Sequence, residues 1–349
     1  MRIVVVTSEV PFIRGSAEIL AENLCQALSA AGHAAELISI PFQQDPPNRI
    51  PDQMLACRLM DLSEACGVRI DRAIGLRFPA YLAPHPHKVI WLLHQHRAAY
   101  ELWDNPLAGD LIHHPYGPVI REAIRQADRE LMPEAKAVYT ISKNVAGRLR
   151  RFCGIAGEPL YHPPPHASQF HKGSAGDYFF FPSPVTGLKR QLLVIEALAK
   201  CREKISVRFA GKSDNPRERA ACLEAARRLN VEHLVEWLDW ISEEQKRELY
   251  ANCLGVLFPP MDEDYGYVTL EAMLSSKPVI TCADSGGPLE FVVDRQTGLV
   301  ADSVPEPLAR AMDAVWADRR CAAAMGEAGR ARYADLKISW ENVVERLLC

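Results

Sequence analysis

Glu263 and Glu271 are the two residues of this 349-residue sequence whose type and spacing point most directly to chemistry. The first lies in an acidic loop, and the second follows after seven intervening residues, about two turns into a predicted helix. A carboxylate accepts hydrogen bonds from two vicinal hydroxyls, so this pair suits the two sugar rings of a nucleotide sugar, with the diphosphate between them. An ordinary acidic loop followed by a surface glutamate has the same spacing, so the pair alone leaves both interpretations open.

The sequence around the pair predicts a strand, a loop, a helix and a second strand, as in parallel α/β sheets. The first strand spans residues 254–258, the helix 267–276 and the second strand 278–281. Ligands of such sheets bind outside the carboxyl ends of the strands, which is where the acidic loop lies. Gly266, at the start of the helix, allows a diphosphate to approach the backbone N–H groups closely.

Four short motifs follow one another across this region. They are Glu-Asp-Tyr-Gly at 263–266, Glu-Ala-Met at 271–273, Lys-Pro-Val-Ile at 277–280 and Ser-Gly-Gly-Pro-Leu-Glu at 285–290. In this order they resemble the donor site of retaining GT-B glycosyltransferases of the GT4 type, the glycosyl transferases group 1. That family has Glu-Gly-Phe-Gly as its first motif, so Asp264 and Tyr265 are substitutions in this chain.

The resemblance implies roles for the residues of the first two motifs. Glu263 is expected to hold the donated sugar as a catalytic residue, and Glu271 is expected to hold the ribose of the donor. We also predict donor contacts for Tyr265, Gly266 and Tyr267, which lie at the start of the helix between the two glutamates.

Two further donor contacts are predicted after neighbouring strands. Gly211 follows a strand at residues 207–210 and resembles the family's glycine loop near the nucleotide. Trp240 follows a strand at 235–238, in the stretch 237–241 where backbone groups would read the base. A place for Trp240 in the hydrophobic core is the alternative to stacking on the base.

Lys189 and Arg190 open a predicted helix at residues 191–199, directly after a strand and a loop. A nucleoside diphosphate leaving group develops negative charge, which fixed cations stabilise electrostatically. The acidic residues near Glu263 form no convincing metal set. We therefore predict that Lys189 stabilises the diphosphate, with Arg190 beside it, and that no metal ion is required. A surface lysine at a helix start is the alternative.

One position departs from the family pattern. The family usually has an arginine five residues before the lysine, where this chain has Pro184. A proline offers a phosphate neither a charge nor an N–H group. Either Arg190 or another cation compensates, or the donor binds weakly. The alternative function is therefore a non-catalytic protein that binds sugar nucleotides.

The first half of the sequence opens with a strand, a loop and a helix. Residues 2–7 predict a buried parallel strand, and residues 16–31 predict an amphipathic helix with Ser16 as its N-cap. Between them, Gly-Ser-Ala-Glu at residues 15–18 resembles the first loop of the family's N-terminal domain, so Gly15 is predicted to contact the donor. A plain turn is the alternative.

His94, His96 and Arg97 follow directly after a predicted strand at residues 88–93. Side chains at this place lie on the ligand side of a parallel sheet, although a histidine beside a strand is often structural. The family has a histidine beside the transferred sugar here. His94 is the best match, so we assign it a catalytic role, and we predict that His96 and Arg97 bind the acceptor.

Arg121, Arg125 and Arg129 recur every four residues on a helix predicted at 118–132 and therefore share one face of it. We interpret this basic stripe as a solvated face with partners such as Asp128. Contact with an anionic acceptor or a membrane surface is the alternative interpretation.

The composition is that of a globular protein of two domains, with 48% hydrophobic and 24% charged residues. The net charge of -4 gives no reason to expect a nucleic acid partner. The ten cysteines show no metal or redox spacing and predict free thiols in a reducing cytoplasm. The first apolar run is too short for a membrane span and lacks a signal-peptide pattern, so we expect a cytoplasmic protein.

Three consecutive prolines at residues 163–165 predict the domain boundary, because proline continues neither a helix nor a central strand. We predict an acceptor-side domain at 1–165, a donor domain at 176–335 and a helix at 336–349 that returns to the first domain. The expected fold class is α/β. The resemblance implies the GT-B fold, in which two Rossmann-like, doubly wound parallel-sheet domains face a cleft.

The function that the resemblance implies is transfer of a sugar from GDP-mannose or a UDP-sugar to an acceptor hydroxyl, with retention of configuration. The enzyme would be a metal-independent hexosyltransferase without a cofactor, and its acceptor a glycan or a lipid-linked intermediate in surface polysaccharide or glycoconjugate assembly. Peripheral contact with the inner face of a membrane is left open. A nucleotide-sugar epimerase on the same fold is a further alternative.

Overall fold

The computed structural model describes residues 1–213 and 215–349. The chain divides into two units. The first unit comprises Met1–Pro165 and Ser339–Cys349, and the second comprises His166–Ile338. Each unit contains one six-stranded parallel sheet with helices packed on it.

The first unit contains eight strands. In chain order they are β1 (Arg2–Glu9), β2 (Ala34–Pro41), β3 (Glu64–Ala65), β4 (Val68–Arg69), β5 (Arg72–Gly75), β6 (Lys88–Leu92), β7 (Ala137–Thr140) and β8 (Glu158–Pro159). Six of them form the parallel sheet in the spatial order β2-β1-β5-β6-β7-β8, and β3 and β4 form a separate antiparallel pair. The β-branched residues of β1 are buried, because this strand lies inside the sheet with both faces covered.

Four helices lie between these strands along the chain of the first unit. They are α1 (Ser16–Ala30), α2 (Ile50–Arg58), α3 (Gly117–Leu131) and α4 (Lys143–Cys153). Helix α1 buries Leu20, Leu24 and Leu28, which confirms the predicted apolar face. Its N-cap is Gly15 rather than Ser16, because Ser16 already belongs to the first turn of the helix.

The second unit is built on a second parallel sheet. Its strands are β9 (Phe179–Pro182), β10 (Val207–Ala210), β11 (Val235–Trp237), β12 (Gly255–Leu257), β13 (Val279–Cys282) and β14 (Gly298–Ala301). Their spatial order is β11-β10-β9-β12-β13-β14, so the strand order reverses between β9 and β12. Such a switch point leaves a crevice at the carboxyl ends of the two strands. The prediction of two doubly wound parallel sheets is confirmed.

Among the described residues, six helices belong to the second unit, and one more follows them in the first unit. They are α5 (Gln191–Leu198), α6 (Pro216–Arg228), α7 (Glu243–Asn252), α8 (Tyr267–Leu274), α9 (Pro305–Ala317), α10 (Arg319–Asp335) and the last helix, α11 (Trp340–Leu348). Helix α11 is part of the first unit, where it contacts α1 and its Trp340 ring meets Trp91 edge to face at 6.3 Å. Among the described residues, no helix is both long and apolar enough to cross a bilayer.

Helix α10 packs against α8 through two glycines with different surroundings. A Cβ atom added to Gly326 would lie 2.1 Å from the carbonyl oxygen of Ser276, far inside van der Waals distance. A Cβ atom added to Gly329 would meet the Met273 side chain at 3.4 Å and Thr297 at 3.9 Å, which are ordinary van der Waals contacts. The close approach of α10 to the backbone just after α8 therefore depends on Gly326 and not on Gly329.

We predict that Gly326→Ala destabilises the second unit by about 2 kcal/mol or more, because backbone atoms must move to admit the methyl group. Gly329→Ala, on the same helix, is the matched control. It should be neutral or stabilising by up to about 1 kcal/mol, since alanine favours the helix more than glycine does. Chemical denaturation of both variants measures the difference, and equal stabilities would contradict the packing.

Candidate functional site

Three loops of the second unit meet at the carboxyl ends of β9, β12 and β13. The Met261 N–H donates a hydrogen bond of 2.7 Å to the Leu188 carbonyl, which joins the loop after β12 to the loop after β9. The Glu263 N–H donates to the Ser285 carbonyl at 2.9 Å, and the Gly287 N–H donates to the Glu263 carbonyl at 2.8 Å. The candidate residues of these loops are therefore held by backbone as well as side-chain contacts.

Lys189 and Glu263 form an ion pair at the switch point of this sheet. The Lys189 ammonium donates a hydrogen bond to Glu263 Oε2, and its Nζ lies 5.4 Å from the centre of the Phe258 ring. The two side chains are 23% and 20% exposed. The structure thus brings together the two residues of this unit that were predicted to be catalytic, and their charges compensate each other.

Arg190 is engaged by Asp284, which the sequence did not identify as its partner. The guanidinium donates two hydrogen bonds to the carboxylate, of 2.7 and 2.6 Å. Burial alone would raise the pKa of the Asp284 carboxyl, but the hydrogen bonds and charge of Arg190 lower it below its ordinary value. The same hydrogen bonds raise the pKa of Arg190. The Asp284 carboxylate therefore offsets part of the positive charge with which Arg190 could compensate for the arginine that Pro184 replaces.

Gly211 lies against the turn at residues 183–184. Its φ is +144°, and an added Cβ atom would lie 2.3 Å from the Ser183 carbonyl oxygen. The Gly211 N–H donates to the Asp239 carbonyl at 2.7 Å, and Gln191 Nε2 donates to the Pro184 carbonyl at 2.9 Å. Close packing of the loops after β9, β10 and β11 thus requires this glycine. Its contact with a donor stays a prediction.

Glu271 accepts hydrogen bonds at both carboxylate oxygens within the second unit. Lys246 Nζ donates to Oε1 at 3.0 Å, and the Tyr250 hydroxyl donates to Oε2 at 2.7 Å. The Glu271 side chain is only 5% exposed. Burial would lower the pKa of Lys246, yet the negative charges of Glu271 and Glu243 raise it above its ordinary value. A ribose at Glu271 would therefore share the carboxylate with two partners.

Lys246 and Tyr250 are functional candidates that the sequence reasoning missed. They lie four residues apart in α7 and so project from one face of that helix. This spacing was visible in the sequence. Nothing in the sequence, however, showed that the face would pack against the helix that carries Glu271.

The aromatic residues around Gly266 pack mainly against one another. Tyr265 is buried, with its ring edge-on to Phe291 at 5.5 Å and to Tyr267 at 5.6 Å. Burial raises the pKa of the half-buried Tyr267 above its ordinary value. Gly266 has φ +88° at the N-cap of α8, where an added Cβ atom would lie 3.1 Å from the Phe258 ring. Tyr265, which replaces the family's phenylalanine, thus has a packing role here.

Trp240 is 70% exposed in the loop after β11. The alternative that this side chain belongs to the hydrophobic core is therefore wrong. The preceding residue, Asp239, forms an ion pair with Arg219, whose guanidinium lies 4.8 Å from the centre of the Trp237 ring. An exposed indole on a loop anchored in this way is suited to stacking on a planar ligand.

Gly15 lies at the switch point of the first sheet. Its N–H donates to Glu18 Oε2 at 2.8 Å, and Arg77 donates to Glu18 Oε1 at 3.1 Å. Since Arg77 follows β5 and Gly15 follows β1, Glu18 joins the loops of two adjacent strands. Gly15 therefore occupies the place in the first sheet at which ligands of doubly wound sheets bind.

His94 and Arg97 lie in the loop after β6, as predicted, and both make contacts within the first unit. His94 Nδ1 lies 2.7 Å from the Gln95 carbonyl oxygen. Arg97 Nε donates to Glu101 Oε1 at 2.5 Å, and Arg148 donates to the same oxygen at 2.8 Å. Glu101 thus fixes the Arg97 side chain next to a second arginine.

Asp128 is a wholly buried carboxylate beneath this loop. It accepts hydrogen bonds of 2.8 Å from each of the Tyr81 hydroxyl, Gln95 Nε2 and the Tyr100 hydroxyl. Burial raises the pKa of Asp128 to about 6, although these hydrogen bonds act in the opposite direction. Above that pH the carboxylate is ionised with three donors around it.

The prediction that Asp128 is a surface partner of the arginine stripe is wrong. Arg129 pairs with Glu122 at 2.6 Å instead. Asp128 continues the buried face of α3, following Ile120 and Ile124 at intervals of four residues, so it points into the unit. The spacing of four residues is visible in the sequence. An acidic side chain is nevertheless expected to face the solvent, which is why the sequence did not predict that Asp128 is buried.

His96 lies in the interior of the first unit. It is 7% exposed, stacked on Phe78 at 5.2 Å and edge-on to Phe42 at 6.2 Å. Burial lowers its pKa to about 4, and the nearby charges of His94 and Arg77 act in the same direction. This position does not support the predicted acceptor contact.

We predict that His96 makes the first unit sensitive to acid. Because its folded pKa lies below the unfolded value of 6.5, the folded state binds fewer protons, and stability is lost as the pH falls from about 6.5 towards 4. The loss between pH 7 and pH 5 should be about 2 kcal/mol. In His96→Phe, which keeps the stacking, urea unfolding at the two pH values should show this loss removed. A variant as acid-sensitive as the wild type would contradict the assignment.

Among the described residues there is no group of three or more histidine, cysteine, aspartate or glutamate side chains that could hold a metal ion. All ten cysteines are free thiols.

Residues 169–332 match the family model described as glycosyl transferases group 1. This range lies within the second unit and contains Lys189, Glu263 and Glu271. The match therefore covers the loops whose geometry is described above.

Two curated relatives are alpha-1,3/1,6-mannosyltransferases named ALG2. The chain is 33% identical to the Dictyostelium discoideum protein over 153 residues, which are 42% of this chain and 36% of that protein. It is 39% identical to the Mus musculus protein over 118 residues, which are 34% of this chain and 28% of that protein. The matches thus span about a third of the length of these relatives.

Solved structures resemble this one over nearly its whole length. Sucrose-phosphate synthase from Thermosynechococcus elongatus has a TM-score of 0.80 and 17% identity, covering 99% of this chain and 97% of that one. Anabaena Alr3699/HepE in complex with UDP-glucose has a TM-score of 0.72 and 15% identity, covering 100% and 98%. At such identities the likeness concerns the fold alone. The chain therefore has the GT-B fold, and within its second unit residues 169–332 are similar to the glycosyl transferases group 1.

Proposed function

We propose that this chain is a glycosyltransferase that moves a sugar from a nucleotide-diphosphate sugar to an acceptor hydroxyl with retention of configuration. The observation that carries the proposal is the ion pair of Lys189 and Glu263 at the switch point between β9 and β12. It lies inside the range that matches the group 1 family. A cation and a carboxylate side by side suit the two parts of the bond that breaks, the diphosphate and the sugar.

In this proposal the diphosphate replaces Glu263 as the partner of Lys189. The ammonium then stabilises the negative charge that develops on the leaving diphosphate, and Glu263 accepts hydrogen bonds from the sugar hydroxyls. Among the described residues none is an evident nucleophile for a double displacement. The acceptor hydroxyl therefore attacks from the same face as the leaving group, its oxygen bonds to the sugar as the bond to the diphosphate breaks, and the diphosphate takes up its proton. The reaction requires no metal ion, since the protein supplies the cation itself.

Glu271 is proposed to hold the ribose while it keeps its two protein partners. An ionised carboxylate has about four lone-pair sites, and Lys246 and Tyr250 use two of them. The other sites can accept hydrogen bonds from vicinal hydroxyls. Lys246 and Tyr250 would then orient the carboxylate before the donor arrives, which lowers the entropic cost of binding.

The donor is proposed to be GDP-mannose or a UDP-sugar. The mannosyltransferase names of the curated relatives support a mannosyl donor, whereas the structural likeness to a protein solved with UDP-glucose keeps uridine donors in the proposal. The proposed acceptor is a glycan or lipid-linked intermediate of polysaccharide or glycoconjugate assembly. Peripheral contact with a membrane is part of the proposal only for a lipid-linked acceptor.

The experiment that tests the proposal is calorimetric titration of the whole chain with GDP, UDP, ADP, CDP and their common sugar conjugates. The titrations are made without metal and then with magnesium. One base that binds without metal, with turnover of its sugar conjugate, is the expected result. Absence of binding under both conditions would overturn the proposal. Binding without turnover on a panel of acceptors would favour the sugar-nucleotide-binding alternative, which Pro184 motivates.

We predict that Glu263→Gln and Glu271→Gln separate turnover from binding. Glu263→Gln should reduce donor turnover by about a hundredfold and change nucleotide affinity by no more than about twofold, because it weakens a contact to the sugar. Glu271→Gln should weaken nucleotide binding by about tenfold, because a neutral amide accepts weaker hydrogen bonds from the ribose. Calorimetry gives the affinities, and hydrolysis or transfer of the donor gives the turnover.

Glu243→Gln is the matched control for Glu271→Gln. Glu243 also contacts Lys246, at 2.8 Å, but its side chain is 52% exposed. This variant should bind nucleotide like the wild type. Equal affinity of the wild type and Glu271→Gln would rule out the ribose role of Glu271, and equal turnover of the wild type and Glu263→Gln would rule out the sugar role of Glu263.

A further inference from the structure

Two arginines of helix α3 in the first unit lie over aromatic rings of the loop after β6. The Arg121 guanidinium is 4.3 Å from the centre of the Trp103 ring, and that of Arg125 is 5.9 Å from the centre of the Tyr100 ring. A guanidinium stacked on a ring is restricted, while the N–H groups at its edge stay available to an acceptor. The two arginines are four residues apart in α3, so they project from one face of the helix.

The donor groups of these two arginines are largely unused within the chain. Arg121 Nε donates a hydrogen bond of 3.0 Å to the Ala99 carbonyl oxygen. Within the described residues, the Nη groups of Arg121 and the whole guanidinium of Arg125 donate no hydrogen bond, and neither arginine forms an ion pair. Since an arginine carries five N–H donors, most donors of both side chains remain for a ligand.

The third arginine of the stripe has a different environment. Arg129 donates to Glu122 Oε1 at 2.6 Å, and this hydrogen bond raises the pKa of Arg129. Burial and the positive charge of Arg125 lower the pKa of Arg121, although the charges of Asp104 and Glu122 act in the opposite direction. Arg121 and Arg125 thus repel each other, and a bound anion would relieve the repulsion.

A phosphate group has the charge and the acceptors that this face of α3 lacks. Its oxygens accept paired hydrogen bonds from a guanidinium, and its several oxygens can serve two arginines one helical turn apart. A carboxylate has two oxygens, which a single arginine already satisfies. Because stacking restricts both side chains beforehand, their ordering would add little to the entropic cost of binding.

We propose that Arg121 and Arg125 form a binding site for the phosphate group of an organic phosphate. The phosphate lies against both guanidinium groups, which Trp103 and Tyr100 support from behind. The headgroup of an anionic lipid and a soluble phosphate ester carry the same group, and the test separates these two sources. The site belongs to the first unit, so it does not rest on the proposed donor contacts in the second.

The test is calorimetric titration of the whole chain with inorganic phosphate at low ionic strength. The variants are Arg121→Gln and Arg125→Gln, and Arg129→Gln is the matched control on the same helix. Arg125→Lys keeps the charge without the fork of N–H donors and so separates paired hydrogen bonds from simple attraction. Because Lys189 is proposed to bind a diphosphate, Lys189→Met is titrated as well. Circular dichroism shows that each variant is folded.

We expect the wild type, Arg129→Gln and Lys189→Met to bind phosphate with a dissociation constant of about 1 mM or below. Arg121→Gln and Arg125→Gln should bind about tenfold more weakly, and Arg125→Lys about threefold or more, because each loses hydrogen bonds to a charged group. Equal affinities of Arg125→Gln and Arg129→Gln would overturn the proposal, as would a wild type that binds no phosphate. Binding that is lost in Lys189→Met and kept in Arg125→Gln would overturn it too, since the phosphate would then bind in the second unit.

Two further probes distinguish the sources of the phosphate group. The chain is sedimented with vesicles of phosphatidylglycerol or of phosphatidylcholine, and it is titrated with glycerol 3-phosphate. Sedimentation with phosphatidylglycerol vesicles that is lost in Arg125→Gln would support a lipid headgroup as the ligand. Binding of glycerol 3-phosphate without sedimentation would support a soluble ester. Sedimentation that is the same in Arg125→Gln and Arg129→Gln, without binding of glycerol 3-phosphate, would count against the site. If the wild type turns over no donor while phosphate binding depends on Arg125, the proposed function fails and the site stands.

Discussion

Backbone hydrogen bonds between loops are the interaction on which the site of the second unit depends. Parallel strands end at one edge of their sheet, and the polar groups beyond their ends need partners that the ladder no longer provides. Here the loops after β9, β12 and β13 supply these partners to one another. Charged side chains that are 74 residues apart in sequence, Lys189 and Glu263, and 94 apart, Arg190 and Asp284, can therefore meet in fixed positions.

The two glutamates of the motif show how one residue type acquires two environments. Glu263 is on a loop and partly exposed, with a lysine that is also partly exposed. Glu271 is on the inner face of α8, where Lys246 and Tyr250 compensate the cost of burying its charge. The first carboxylate can exchange partners when a ligand arrives, whereas the second is held in one orientation.

Much of the fold could be predicted because its signals are local. Apolar β-branched runs and proline stops predicted most strands, and β10 has the predicted bounds, 207–210. Helices α9 and α10 had no expected counterpart, although they contribute to the core of the second unit. The candidate residues were found because they follow strands. Their partners were not, because a contact such as that of Glu271 with Lys246 depends on which helices become neighbours.

The buried group formed by Lys246, Tyr250 and Glu271 has an evolutionary consequence. Loss of the lysine alone leaves the buried Glu271 charge with only the Tyr250 hydroxyl as a partner. Loss of the glutamate alone leaves Lys246 with only the exposed Glu243 and the Tyr250 hydroxyl with only the Val268 carbonyl at 3.5 Å. Neither change is tolerated easily as a first step. Positions 246 and 271 should therefore vary together among descendants of this sequence, and a lineage that abandons the glutamate should also have abandoned the lysine.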